Sequence, residues 1–259
     1  MPIIAVLEDK VDTVRIHQWI TTRWQWSVYF SVAYLILIFG TKYLMRSRKP
    51  FNLRRPLVVW NITLAGFSVF ECIIMLPALW DLVSVYGLTG SVCIPVAWHT
   101  KDLTLWGFLF SLSKVLELFD TAFIVLRKTP LIFLHWYHHI TVLIFTWYIH
   151  FTWMALGQWF TPVNALVHML MYSYYALRAA GFKLPSNLMQ VITVLQITQM
   201  FVGLFANLVA VRELYHERPC YLTWQGFAFS MFIYSTYALL FLHFFYQRYM
   251  KGQSAKKAQ

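Results

Sequence analysis

Seven apolar stretches follow one another along the chain, at 26–45, 57–79, 103–126, 131–149, 153–177, 188–211 and 224–246. Each approaches or exceeds the ~20 residues that a helix needs to cross ~30 Å of hydrocarbon. The pattern predicts an all-α integral membrane protein with seven transmembrane helices. It divides the chain into an N-terminal segment (1–25), a membrane-embedded body (26–246) and a short tail (247–259), with no room for a soluble domain. Val11, Val14, Ile16, Trp19, Ile20 and Trp24 stand among charged neighbours, which predicts an interfacial helix. Residues 1–25 carry charges of both signs and lack an apolar core, so the first span is expected to be an uncleaved anchor rather than a signal peptide.

Composition agrees. Of 259 residues, 59% are hydrophobic and 12% charged, the latter about half the share in a soluble domain. A net charge of +11 would suit nucleic-acid binding if it formed one continuous surface, but the basic residues fall in short clusters between the apolar stretches. Lys42, Arg46, Arg48, Lys49, Arg54 and Arg55 flank or fill the first loop, Arg127 and Lys128 follow the third span, Arg178 and Lys183 the fifth, and Arg248, Lys251, Lys256 and Lys257 the seventh. These alternate segments hold 14 of the 21 basic residues and no acidic one. The positive-inside rule then places the C-terminus in the cytosol and the N-terminus across the membrane. A basic face of this kind serves topology and lipid phosphate, and equally attracts a phosphate-rich substrate.

The loops on the opposite side hold Cys93 and Cys220, where a disulfide can persist; a bond between them and two free thiols are both compatible with the sequence. The glycosylation sequon at Asn61 lies inside the second span and is expected to stay unmodified.

Ionisable and amide side chains inside the spans are costly and mark an interior site. The third span carries Lys114, Glu117, Asp120 and Thr121 on one helical stripe, and Lys114 and Glu117 are spaced to form an ion pair. The fourth carries His135, His138 and His139, the fifth Asn164, His168, Met171, Tyr172 and Tyr175, and the sixth Thr193, Gln196 and Gln199. Counting ~1.5 Å per residue from the basic loops puts these stripes at similar depth, Asp120 about 10 Å and His138 and His168 about 15 Å in. Convergence of four helices at one level predicts an enclosed chamber reached from the basic side.

Three chemistries fit such a chamber. A histidine box suits a di-iron desaturase, but only His135, His138, His139 and His168 share the layer, enough for one zinc and too few for two irons without carboxylates. A proton-coupled transporter also uses histidines and carboxylates. In an acyl-transfer enzyme, imidazole serves as base or nucleophile, and an acyl-imidazole is itself an acyl donor. A coenzyme A thioester would match the basic face.

The motifs Lys114-x-x-Glu117-x-x-Asp120-Thr121, His135-x-x-His138-His139, His168-x-x-Met171-Tyr172-x-Tyr174-Tyr175 and Thr193-x-x-Gln196-x-x-Gln199 occur in this order. Together they resemble the very-long-chain fatty acid elongase family, the membrane 3-ketoacyl-CoA synthases of the endoplasmic reticulum, over nearly the whole chain. The resemblance implies that six of seven helices form an inverted barrel around an acyl tunnel. It implies condensation of acyl-CoA with malonyl-CoA, with no metal and no cofactor beyond these substrates. By position, His138 is the implied acyl acceptor. His135, His139, His168 and Asp120 are implied to assist it, and Lys114, Glu117, Thr121, Asn164, Tyr172, Tyr175, Thr193, Gln196 and Gln199 to shape the substrate site.

The same resemblance implies a Cys93–Cys220 disulfide, a dilysine retrieval signal at Lys256 and Lys257, and an endoplasmic reticulum membrane location. Implied partners are membrane lipids and the reductases and dehydratase of the elongation cycle; a homo-oligomer is compatible, and nucleic acid is not expected. Segments 133–143 and 171–182 are most similar to the elongase 6 branch, which implies saturated and monounsaturated acyl chains of about 12 to 16 carbons.

Overall fold

The computed structural model describes residues 12–95, 100–185 and 187–251, apart from the side chain of Asp102. His99, Lys256 and Lys257 lie outside the described residues. The described chain is all-α: α1 (Thr13–Arg23), α2 (Trp26–Leu44), α3 (Arg54–Cys93), α4 (Lys101–Glu117), α5 (Asp120–Leu126), α6 (Phe133–Thr152), α7 (Gly157–Ala180), α8 (Leu188–Tyr215) and α9 (Trp224–Phe245), the last continuing into a widened π turn, Tyr246–Met250.

Neither the seven transmembrane spans expected from the hydropathy pattern nor the six-helix inverted barrel implied by the resemblance is what the structure has. Among the described residues, four helices are long and apolar enough to cross a membrane by length and composition: α2, α3, α8 and α9 with its π turn. They pack with the remaining helices in an all-α bundle. The reasons lie in the polar stripes. The stretch 103–126 does not run through as one helix: α4 ends at Glu117 and α5 begins at Asp120. Across the join, Phe119 N donates to Leu116 O (2.9 Å) and Ala122 N to Phe119 O (3.0 Å), the tighter i to i−3 pattern. In α6 and α7 the histidines and amides dilute the apolar run. Helix α3, conversely, extends well beyond the expected 57–79 and takes in the segment up to Cys93 that the sequence suggests is loop. It bends at Gly87, whose φ of 65° and ψ of 178° belong to a region open essentially to glycine.

The bundle is apolar outside and polar within. Ile36, Leu37, Ile73, Trp80, Phe205 and Leu239 are exposed, whereas Glu71, Lys114, Glu117, Asn164, His168 and Asn207 are buried. That inversion suits a hydrocarbon surround, where backbone groups are satisfied within helices and polar side chains turn inward. The protein is thus a multi-pass membrane protein with several long hydrophobic helices. The most extensive packing joins α3 to α7, followed by α8 to α9; α4 and α9 both lie against α6. Helix α1 is capped by Asp12, whose carboxylate accepts from Arg15 N (3.0 Å). It docks through the fully buried Ile20 onto Leu143 and Trp147 of α6. Asn61, the sequon residue, is buried and donates to Leu57 O (2.7 Å).

Two fastenings hold opposite ends of the bundle. At one end Cys93 and Cys220 form a disulfide, S–S 2.07 Å, across 127 residues. Around it Tyr221 N donates to Cys93 O (3.0 Å), Ala155 N to Tyr221 O (3.2 Å), and Gln158 Nε2 to Ser91 O and Ile94 O (both 2.7 Å). At the other end Arg54 donates to the last carbonyls of α7, Ala179 O and Ala180 O (both 2.8 Å). Gly181 makes this approach feasible: its φ is 101°, and a Cβ there would overlap Arg54 Nη2. Because the disulfide closes so long a loop, replacing Cys93 and Cys220 with serine is expected to lower stability by about 2–4 kcal/mol. The drop should appear as a lower thermal midpoint in detergent, matched in the unaltered protein by adding a reductant.

Candidate active site

The polar stripes do converge. A cavity of about 180 Å3 is lined by Glu117 and Asp120 from α4 and α5, His135, His138 and His139 from α6, Asn164, His168, Tyr172 and Tyr175 from α7, and Gln196 and Gln199 from α8. Helix α9 contributes Phe241 and Phe244. Three of the expected site residues stand one step back. Lys114 is fully buried and donates to Glu117 Oε1 (2.7 Å) and Asn164 Oδ1 (3.0 Å). Thr121 hydrogen-bonds His135 Nε2 (2.9 Å). Thr193 does not line the cavity; its hydroxyl donates to Met189 O (2.9 Å) and lies 3.3 Å from the Tyr249 hydroxyl.

Each stripe is held by partners on other helices. Glu117 Oε1 collects Lys114 Nζ, Ser113 Oγ (3.3 Å) and, at 3.6 Å, His168 Nδ1, so one carboxylate orients both the buried cation and a cavity-lining imidazole. By accepting from Lys114, Asn164 Oδ1 leaves the amide's N–H donors for the cavity. Asp120 accepts from Trp60 Nε1 and from the Tyr172 hydroxyl (2.7 Å). Both partners come from other helices, α3 and α7. His135 and His139 lie with ring centroids 4.4 Å apart, and His138 sits 5.8 Å from His139 and 4.8 Å from Tyr237. Among the described residues, no group of three or more His, Cys, Asp or Glu side chains is arranged to hold a metal ion.

Several contributors escaped the sequence reading. Trp60 and Tyr34 belong to apolar spans and look like lipid-facing or packing aromatics, yet Trp60 holds Asp120 and the Tyr34 hydroxyl lies 2.7 Å from Thr121 Oγ1. Tyr237 hydrogen-bonds Thr141 (2.7 Å) beneath His138. Glu71 was detectable as a lone carboxylate inside an apolar run. It is buried near Lys114 and Glu117, with Oε1 unpaired.

Two further cavities adjoin the first. Toward the basic end, one of about 660 Å3 shares Asp120, His135, Tyr172 and Tyr175 with it and is lined by Arg54, Arg127 and Arg178. Toward the disulfide, a narrow slot of about 40 Å3 shares His138, Asn164, Gln199 and Met200 and is otherwise mostly apolar, including Phe110, Val142, Phe145 and Ile149. Of the four histidines, His138 alone lines both the chamber and the slot.

The comparisons with known proteins agree with the motifs. The family model described as ELO, GNS1/SUR4 family, matches residues 19–257. The chain is 43% identical over 244 residues to very long chain fatty acid elongase 6 of Rattus norvegicus, covering 93% of this chain and 91% of the relative. It is 42% identical over 240 residues to very long chain fatty acid elongase 6 of Drosophila melanogaster, covering 91% and 76%. It is 43% identical over 239 residues to very long chain fatty acid elongase 3 of Mus musculus, covering 91% and 88%. With the family model spanning the whole polar layer and the helices around it, the chain belongs to the GNS1/SUR4 (ELO) family of fatty acid elongases, membrane enzymes of lipid metabolism with a condensing, chain-extending activity.

Proposed function

We propose that the protein is a 3-ketoacyl-CoA synthase that condenses long-chain acyl-CoA with malonyl-CoA through an acyl group carried on His138. The observation that carries this is the position of His138 at the junction of a polar chamber and an apolar slot. A thioester carbonyl at that junction has its tail in the slot and its CoA moiety toward Arg54, Arg127 and Arg178. Imidazole attack forms a nitrogen–carbonyl bond and breaks the carbon–sulfur bond; the imidazole proton goes to the departing CoA thiolate. Malonyl-CoA then loses carbon dioxide, and the released electron pair becomes the enolate of acetyl-CoA. Attack of that enolate on the acyl-imidazole forms the new carbon–carbon bond, expels imidazolate and yields the 3-ketoacyl-CoA; one proton taken from solvent restores the neutral histidine.

The chain's own groups suit these steps. The free N–H donors of Asn164 face developing negative charge on the thioester or enolate oxygen, with Gln199 beside them and Lys114 holding the amide from behind. The Glu117–His168 pair orients a second imidazole toward the malonyl group. Tyr172, Asp120 and Trp60 brace the wall between chamber and mouth. Saturated and monounsaturated acyl chains of about 12 to 16 carbons are proposed as substrates, the range that the resemblance of segments 133–143 and 171–182 to the elongase 6 branch implies. The basic end is proposed to face the cytosol, residues 1–25 the lumen of the endoplasmic reticulum, and Lys256 and Lys257 to retrieve the protein there. The reductases and dehydratase of the cycle would receive its product.

Purified protein given malonyl-CoA and a ladder of acyl-CoA lengths is expected to release carbon dioxide and form 3-ketoacyl-CoA two carbons longer. Acyl-CoA alone should leave an adduct on the peptide containing His138, seen by intact mass and peptide mapping. Oxygen-dependent desaturation with stoichiometric iron, and no condensation, would overturn the proposal.

A further inference from the structure

The apolar slot is not uniform along its length. Phe145 of α6, Phe160 of α7 and Tyr234 of α9 all line it. Their ring centroids lie close: Phe160 to Tyr234 4.6 Å, Phe145 to Phe160 6.0 Å and Phe145 to Tyr234 6.2 Å. Three helices thus each contribute one ring at one level. Phe145 stands seven residues along α6 from His138, about 10 Å at ~1.5 Å per residue. An extended chain advances ~3.5 Å for every three bonds, so the rings meet an acyl tail about eight or nine carbons from its carbonyl. The slot continues past them to Ile149 and Gly157. Ile149 is four residues further along α6, a distance that about five more carbons would span on the same scale.

Tyr234 has no freedom to retreat toward its neighbour helix. Its ring already lies on the backbone of Gly203 in α8: a Cβ built there would overlap Cδ1 and Cε1 and sit 2.7 Å from Cζ. A glycine within a helix costs about 1 kcal/mol relative to alanine, and here it provides the recess that receives the ring. The backbone beside it is pinned, since the fully buried Asn207 donates to Gly203 O (2.8 Å). Anything larger at 203 must move the ring, and the direction away from α8 leads into the slot.

We propose that Gly203 and Tyr234 form a length gate: the glycine recess sets how far Tyr234 stands out toward Phe145 and Phe160, and so how readily an acyl chain longer than about nine carbons threads past them. The gate rests on the acyl-slot function proposed above and adds a residue outside the slot that governs which substrates enter it.

The test compares purified unaltered protein, Gly203→Ala, Tyr234→Ala and the double variant across acyl-CoA lengths from decanoyl to eicosanoyl, each first shown to be monodisperse in detergent. Gly203→Ala is expected to lower the ratio of palmitoyl to decanoyl turnover at least tenfold. Adding Tyr234→Ala, which removes the ring the new methyl strikes, should bring that ratio back to within about threefold of the original. If Gly203→Ala fails to fold, Tyr234→Ala alone decides, with turnover of eicosanoyl relative to palmitoyl expected to rise at least threefold. A ladder in which Gly203→Ala, or Tyr234→Ala where it stands alone, leaves the length profile unchanged overturns the gate while condensation stands. No condensation by the unaltered protein at any length overturns the underlying function and the gate with it.

Discussion

Replacing His138 with alanine is expected to lower condensation by roughly 10³-fold or more, the scale of loss when a covalent catalyst is removed. The side chain is cavity-facing and makes ring contacts with Tyr237 and Phe241, while the backbone of this turn is held independently through Thr141, which donates to Tyr137 O (2.7 Å) and pairs with Tyr237. Truncation therefore removes the imidazole without unlocking the helix, and the variant should remain monodisperse in detergent. The same substitution at His139 supplies the contrast. His139 lines the chamber but not the slot, so its loss should slow turnover without abolishing the acyl adduct formed from acyl-CoA alone. Near-normal turnover by His138→Ala would sink covalent catalysis at this position.

Replacing Lys114 with methionine is expected to destabilise the protein by about 3–5 kcal/mol, the usual consequence of removing one partner of a buried ion pair. Both members are buried, and Glu117 would keep only Ser113 and His168 against its charge. The double variant Lys114→Met with Glu117→Leu removes both charges, and a buried pair exchanged for apolar groups is often close to neutral. Most of the loss in thermal midpoint should return, whereas condensation should not, because Asn164 loses the donor that turns its amide toward the chamber. Recovery of activity along with stability would show that the pair serves only to hold α4 against α7.

The chamber was legible in the sequence because ionisable groups in apolar runs have few reasons to be there. Helical spacing alone gathers Lys114, Glu117 and Asp120 on one stripe, and most of the other motif residues meet around the same cavity. The Lys114–Glu117 pair was legible from its spacing, but partners on other helices were not. Asp120 is answered by Trp60 and Tyr172, and an indole in an apolar span gives no hint of which way its N–H points. The architecture was misjudged for a related reason. Hydropathy windows average over the break at Leu118–Phe119 and over the histidines of α6, and so read a split helix and a polar-faced helix as ordinary spans. The slot's dimensions depend on which rings meet across helices, and no one-dimensional pattern holds that information.

The disulfide end of the bundle has a kinetic consequence. Cys93, Leu222 and Met154 pack into the same core as Ile149 and Phe160, at the foot of the slot. The mouth lined by Arg54, Arg127 and Arg178 lies at the opposite end of the bundle from this staple. On the proposed function, a CoA ester seated in that mouth occupies it, so the first carrier would depart before the second arrives. With the far end fastened by the disulfide, the lengthened chain would then back out along the path by which its precursor entered.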